Sequence, residues 1–119
     1  MTREIDKNDP EWWATPEMIE QITRDLVREF DPEEVILFGS QAWGEPNLDS
    51  DIDILVLVRE SSEKTSARMA RALHCTGSVV FPKDILVPTL EEAERQRHTP
   101  GTLFHRIFQD GRKLYERKK

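Results

Sequence analysis

From Met18 onward, apolar residues recur at three- and four-residue spacing: Met18, Ile19, Ile22, Leu26, Val27 and Phe30 line one face of a helix. Thr15-Pro16-Glu17 reads as its start. Threonine caps, proline's fixed φ suits the first helical position, and glutamate favours the positive end of the helix dipole. Asp31-Pro32 stops the helix. The period then changes. Val35 to Phe38 is a short apolar run ending at Gly39, a strand, and residues 40–50 read as a turn of helix followed by a loop. Residues 51–58, D-I-D-I-L-V-L-V, are rich in β-branched residues and apolar on both faces after Asp53, the mark of a central, buried strand.

Residues 62–75 fit a helix with small apolar positions at Ala67, Ala70 and Leu73, ended by Gly77. A second buried strand, roughly Lys83 to Val87, follows Pro82. Thr89 with Glu92 three residues on is a capping box that opens the helix L-E-E-A-E-R-Q-R. Thr99-Pro100 starts a further helix carrying Leu103/Ile107 and Phe104/Phe108 pairs, and Asp110-Gly111 terminates it. Lys113 to Tyr115 forms a last edge strand. The order α-β-β-α-β-α-α-β describes an α/β (α+β) domain, a short mixed sheet with helices mainly on one face. At 119 residues the chain is a single domain, 1–119, with its core at about 17–115.

Charge and composition narrow the function. Seventeen basic and 23 acidic side chains leave a net charge of −6, which argues against a standing grip on nucleic acid. One cysteine, Cys75, excludes an internal disulfide and the usual zinc clusters, and reads as a small buried hydrophobe. The chain holds no apolar run of membrane-spanning length, and M-T-R-E-I-D-K-N-D lacks the apolar stretch of a signal peptide, so the expected compartment is the cytoplasm, with no membrane partner.

The chemistry concentrates in residues 35–58. Alternation along a strand points Asp51 and Asp53 the same way, about 6.6 Å apart along the backbone. Two carboxylates that close repel each other and need a counter-charge, for which hard divalent cations are the usual answer. Two such metals can clamp a phosphoryl group undergoing in-line displacement. Upstream, Gly39-Ser40 lies where a strand gives way to a short helix. Glycine lets the backbone approach a ligand, and the serine hydroxyl with nearby N–H groups suits phosphate oxygens. A phosphate-holding turn and a carboxylate pair on consecutive strands suggest transfer of part of a nucleoside triphosphate.

The two-part pattern G-S-Q-A-W-G, then S-D-I-D, resembles the active-site signature of the DNA polymerase beta superfamily, and within it the minimal nucleotidyltransferases (MNT). Gly39, Ser40, Ala42, Gly44, Ser50, Asp51 and Asp53 match the motif. The resemblance implies a polymerase beta-like core and a third carboxylate on a neighbouring strand, for which Asp84 in K-D-I-L-V is the residue that fits. It implies that Asp51, Asp53 and Asp84 hold two Mg²⁺ ions and catalyse the transfer. Gly39, Ser40 and Ser50 then serve the nucleotide, ATP as donor of AMP. It further implies a hydroxyl acceptor, a tyrosine on a HEPN-type helical toxin that this chain silences as antitoxin. A homo-oligomer is the other source of a grip on the acceptor, and neutralisation by binding alone is the alternative to catalysis. Where many members carry an arginine in or after the turn, this chain has Gln41 and Trp43. Lys64, Arg68 and Arg71, at i, i+4 and i+7 of the next helix, could compensate but read first as a solvated face.

Simpler readings compete. Asp49, Asp51, Asp53 and Glu60 fall at positions 1, 3, 5 and 12 of a calcium loop, but the sixth position, which must turn sharply, is Ile54. His74, His98 and His105 have no ligand spacing and read as structural or exposed. Trp12 and Trp13 either staple the first helix or face a partner.

Overall fold

The computed structural model describes residues 14–44 and 51–118. In chain order the elements are α1 (Pro16–Phe30), β1 (Glu34–Phe38), α2 (Ser40–Trp43), β2 (Ile52–Leu57), α3 (Thr65–Cys75), β3 (Lys83–Leu86), α4 (Leu90–Arg97), α5 (Leu103–Asp110) and β4 (Arg112–Glu116). The strands form one sheet in the order β3-β2-β1-β4. β1 runs antiparallel to both β2 and β4, whereas β2 and β3 are parallel, joined by a crossover through α3. The sheet is therefore mixed, as the alternation of elements predicts. Among the described residues no helix is long and apolar enough to cross a membrane.

Helices cover both faces of the sheet, and the expectation of a mainly one-sided layer is corrected. One face carries Val35, Leu37, Ile52, Ile54 and Val56, packed under Ile19, Ile22 and Leu26 of α1 and Ala72 of α3. The other carries Ile36, Phe38, Leu55 and Leu57, packed under Ala93 of α4 and Ile107 of α5. The reason lies in β1 and β2, whose side chains are apolar at successive positions. Exposing either face would forgo about 25 cal/mol for every Å² of apolar surface left in water, so each face needs its own cover.

Local signals set the helix ends. The Thr15 hydroxyl accepts from Met18 N–H at 3.2 Å, and Asp31 closes α1 in a left-handed conformation (φ 45°). The capping box at α4 is complete, with Thr89 and Glu92 each accepting from the other's backbone N–H. α5 starts later than Thr99-Pro100 suggested. Thr102 is its cap, accepting from His105 N–H at 3.2 Å and donating to Gln96 O at 2.8 Å, and Gly101 at φ +90° interrupts any helix begun earlier.

Arg68 is also not on a solvated face: it is 3% exposed. Its guanidinium meets the Glu92 carboxylate through two bonds, at 2.9 and 3.1 Å, and also donates to Val87 O, Glu63 O and the Thr65 hydroxyl. Arg71 lies over the Phe30 ring at 4.4 Å and pairs with Glu29 and Glu63. Both arginines sit where β2 ends, beside an open cleft of about 590 Å³ lined by Phe30, Val58, Ser61 and Glu63. That is the far end of the sheet from Asp51, and with both guanidinia committed to glutamates the cleft offers no surplus positive charge for a phosphate.

Candidate active site

Asp53 is the second residue of β2 and Asp84 the second residue of β3, and the parallel register pairs them directly. Paired positions on neighbouring strands lie about 4.8 Å apart and send their side chains to the same face. That face is the one under α4 and α5, because Asp53 alternates with Leu55 and Leu57. Asp51, just before the strand, shares the alternation and is exposed; Asp84 is exposed, and Asp53 is half-buried.

Gly39 closes the site from β1. Phe38 pairs with Asp53 across the antiparallel ladder, so the next residue turns away directly beside that carboxylate. Gly39 has φ +75° and ψ −157°, a region essentially restricted to glycine. A Cβ there would lie 2.3 Å from Asp53 Oδ2. Only a residue without a side chain lets the bend and the carboxylate share this space. Gly39 O accepts from Ala42 and Trp43 N–H at 3.0 Å each, which turns the chain into α2 with Ser40 as its first residue. Ser50 lies outside the described residues, as do Asp49, Trp12 and Trp13.

Electrostatics mark Asp53. Burial first, then the charges of Asp84 and Asp51, push its carboxyl up to about 6. A group in that position gains from a nearby cation. Among the described residues, no three acidic, imidazole or thiol side chains are gathered closely enough to hold a metal ion together. The carboxylates make an open row instead. Hard oxygen donors, two of them exposed, suit a hard divalent cation that keeps water or substrate oxygens in its shell, as Mg²⁺ does.

Beyond Phe38 the row continues into residues that the sequence did not single out together. The Trp43 ring lies 6.2 Å from Phe38, tilted by 36°, and the Arg106 guanidinium of α5 lies over Trp43 at 4.3 Å. The histidines take no part: His74 and His98 are exposed, and His105 Nδ1 meets Arg97 O at 2.9 Å. Cys75 is only partly buried, packed beside α1, and burial with Glu29 and Asp25 nearby pushes its thiol up to about 11.

The nucleotidyltransferase domain family matches residues 19–109, a span that contains every residue of this row. The chain belongs to that family. Among curated proteins, none matches the sequence. Among solved structures, a 1.40 Å crystal structure of a protein from Sulfolobus solfataricus, provisionally assigned as a nucleotidyltransferase, superposes with a TM-score of 0.58. It covers 87% of this chain and 81% of that one at 23% identity, a likeness of fold. The nucleotidyltransferase domain thus presents an acidic row at one end of its sheet, bounded by the Gly39 bend.

Proposed function

We propose that this nucleotidyltransferase domain transfers a nucleoside monophosphate, AMP from ATP, to a hydroxyl acceptor, and that the acceptor is a tyrosine of a HEPN-type helical toxin for which the chain serves as antitoxin. The observation that carries the reading is the register of Asp53 with Asp84, with the Gly39 bend folded onto the Asp53 carboxylate. Structural carboxylates are seldom set side by side, because each raises the cost of ionising the other.

In this reading Asp51, Asp53 and Asp84 hold two Mg²⁺ ions, which supply the charge that clamps the attacking and leaving oxygens of an in-line displacement. Gly39 and Ser40, with Ser50, hold the diphosphate end of the nucleotide. The acceptor oxygen forms a bond to the α-phosphorus while the bond from that phosphorus to the β-phosphate oxygen breaks. Pyrophosphate leaves, and the hydroxyl proton passes to a carboxylate of the row or to water. Asp84 lies on an edge strand and is exposed, so a hydroxyl on a folded protein can approach it from the side.

The test uses ATP labelled at the α-phosphate, Mg²⁺ and a HEPN-type partner, with the wild-type chain and Asp53→Ala in parallel. Label on the partner that vanishes with the substitution is the expected result. Equal neutralisation of the partner by both chains, without label, overturns it in favour of binding alone.

A further inference from the structure

A row of side chains crosses the face that carries the carboxylates: Asp84 on β3, Asp53 on β2, Phe38 on β1, Trp43 on α2 and Arg106 on α5. We propose that Arg106 is a substrate-binding cation, and that its guanidinium, stacked on Trp43, takes the polyphosphate of the nucleoside triphosphate. The proposal rests on the nucleotidyl-transfer reading above and adds a residue from a distant part of the chain to that site.

Three observations support it. First, stacking on an aromatic ring uses the flat face of a guanidinium and leaves its N–H edge, the part that forms paired bonds to phosphate oxygens, directed outward. Second, the side chain is 55% exposed, and its contact with Asp110 is a 3.7 Å ion pair through Nε, too long for a hydrogen bond. The two terminal nitrogens are thus not committed by that pair. Third, Trp43 belongs to the bend itself, since its N–H donates to Gly39 O at 3.0 Å. A cation fixed on Trp43 is therefore fixed relative to Gly39 and Asp53. Arg68 and Arg71 contrast with it, being tied to glutamates at the other end of the sheet.

Electrostatic need agrees with this placement. A nucleoside triphosphate brings several negative charges to a site already lined by carboxylates. Metal ions offset charge beside Asp51, Asp53 and Asp84, while an arginine on the opposite wall of the bend offsets it at the departing end of the phosphate chain.

The test is equilibrium binding of the full chain, with Mg²⁺ present, to three probes: inorganic tripolyphosphate, ATP and adenosine. Arg106→Met keeps a long side chain over Trp43 without the charge, and Arg106→Lys keeps the charge without the fork. The expected result is a 10- to 100-fold loss of affinity (order of magnitude) for tripolyphosphate and ATP in Arg106→Met. Arg106→Lys should lose less, and adenosine affinity should not change. Thermal melts of each variant give the fold check. If Arg106→Met melts lower yet binds tripolyphosphate as tightly as the wild type, Arg106 only staples α5 to α2 and the proposal fails alone. If the wild-type chain binds neither ATP nor tripolyphosphate, the transfer reading fails and takes the proposal with it.

Discussion

The two ends of the sheet handle charge in opposite ways. Where β2 ends, opposite charges are matched: Arg68 with Glu92, Arg71 with Glu29 and Glu63, Arg59 with Glu33, and Arg117 with Asp31. Where β2 begins, like charges are set together, and Asp53 is held by burial and by Asp84 and Asp51 in a state that resists ionisation. The first arrangement stabilises the fold, tying α1, α3 and α4 into one unit. The second works against it. A chain that matches its charges at one end and concentrates them at the other keeps the second arrangement for something other than stability.

The contrast can be broken by substitution, and the largest effect belongs to the matched end. Glu92→Ala leaves a guanidinium that is 3% exposed without its carboxylate and removes half of the α4 capping box. It should cost about 3–5 kcal/mol in urea unfolding. Arg68→Met should cost less, because Glu92 is partly exposed and can rehydrate. Equal costs would mean that the clamp is not asymmetric in the way its burial indicates.

Gly39→Ala comes next. Placing a Cβ at φ +75° costs about 1–3 kcal/mol, and the displaced Asp53 carboxylate should cost more in transfer activity than in stability. Full activity in this variant would separate the bend from the site. Asp53→Asn should then raise stability by about 1 kcal/mol in chelator-treated protein, because it removes one of three like charges while keeping the side-chain shape. A lower melting temperature for Asp53→Asn would show that this carboxylate has a stabilising partner, and the contrast between the ends would be lost.

The smallest effect lies on the pH axis. Hydrogen bonds from Arg68, then from the Thr89 backbone, hold the Glu92 carboxyl down at about 2, from an ordinary value of 4.5. Its contribution is therefore fully present above pH 4.5 and is lost as pH falls from there towards 2. Urea midpoints measured between pH 6 and pH 3 should decline less steeply in Arg68→Met than in the wild type.

Local features were legible in the sequence. The period of α1, the capping box of α4, the doubly apolar β2 and the glycine after β1 are each specified within a few residues, and the structure carries all four. The family resemblance also implied Asp84, although only the parallel register puts it beside Asp53. What the sequence left unread depends on contacts between distant residues. Arg68 looks like one of three cations on a helix face until Val87 and Glu92 fold over it. Arg106 has no local mark at all, since the ring beneath it comes from the other half of the chain. The two-sided helix cover was implicit in β2, but deciding which helix takes which face requires the sheet order.

Because Asp84 reaches Asp53 by lying alongside it, the length of the crossover between them is nearly irrelevant to the spacing of the two carboxylates. Residues can be added or removed on the surface between Arg59 and Lys64 without moving either oxygen pair. Deleting a single residue between Pro82 and Asp84 is another matter: if Pro82 held its place, the carboxylate would swing through the sheet and emerge beneath α3, on the face turned away from Asp53.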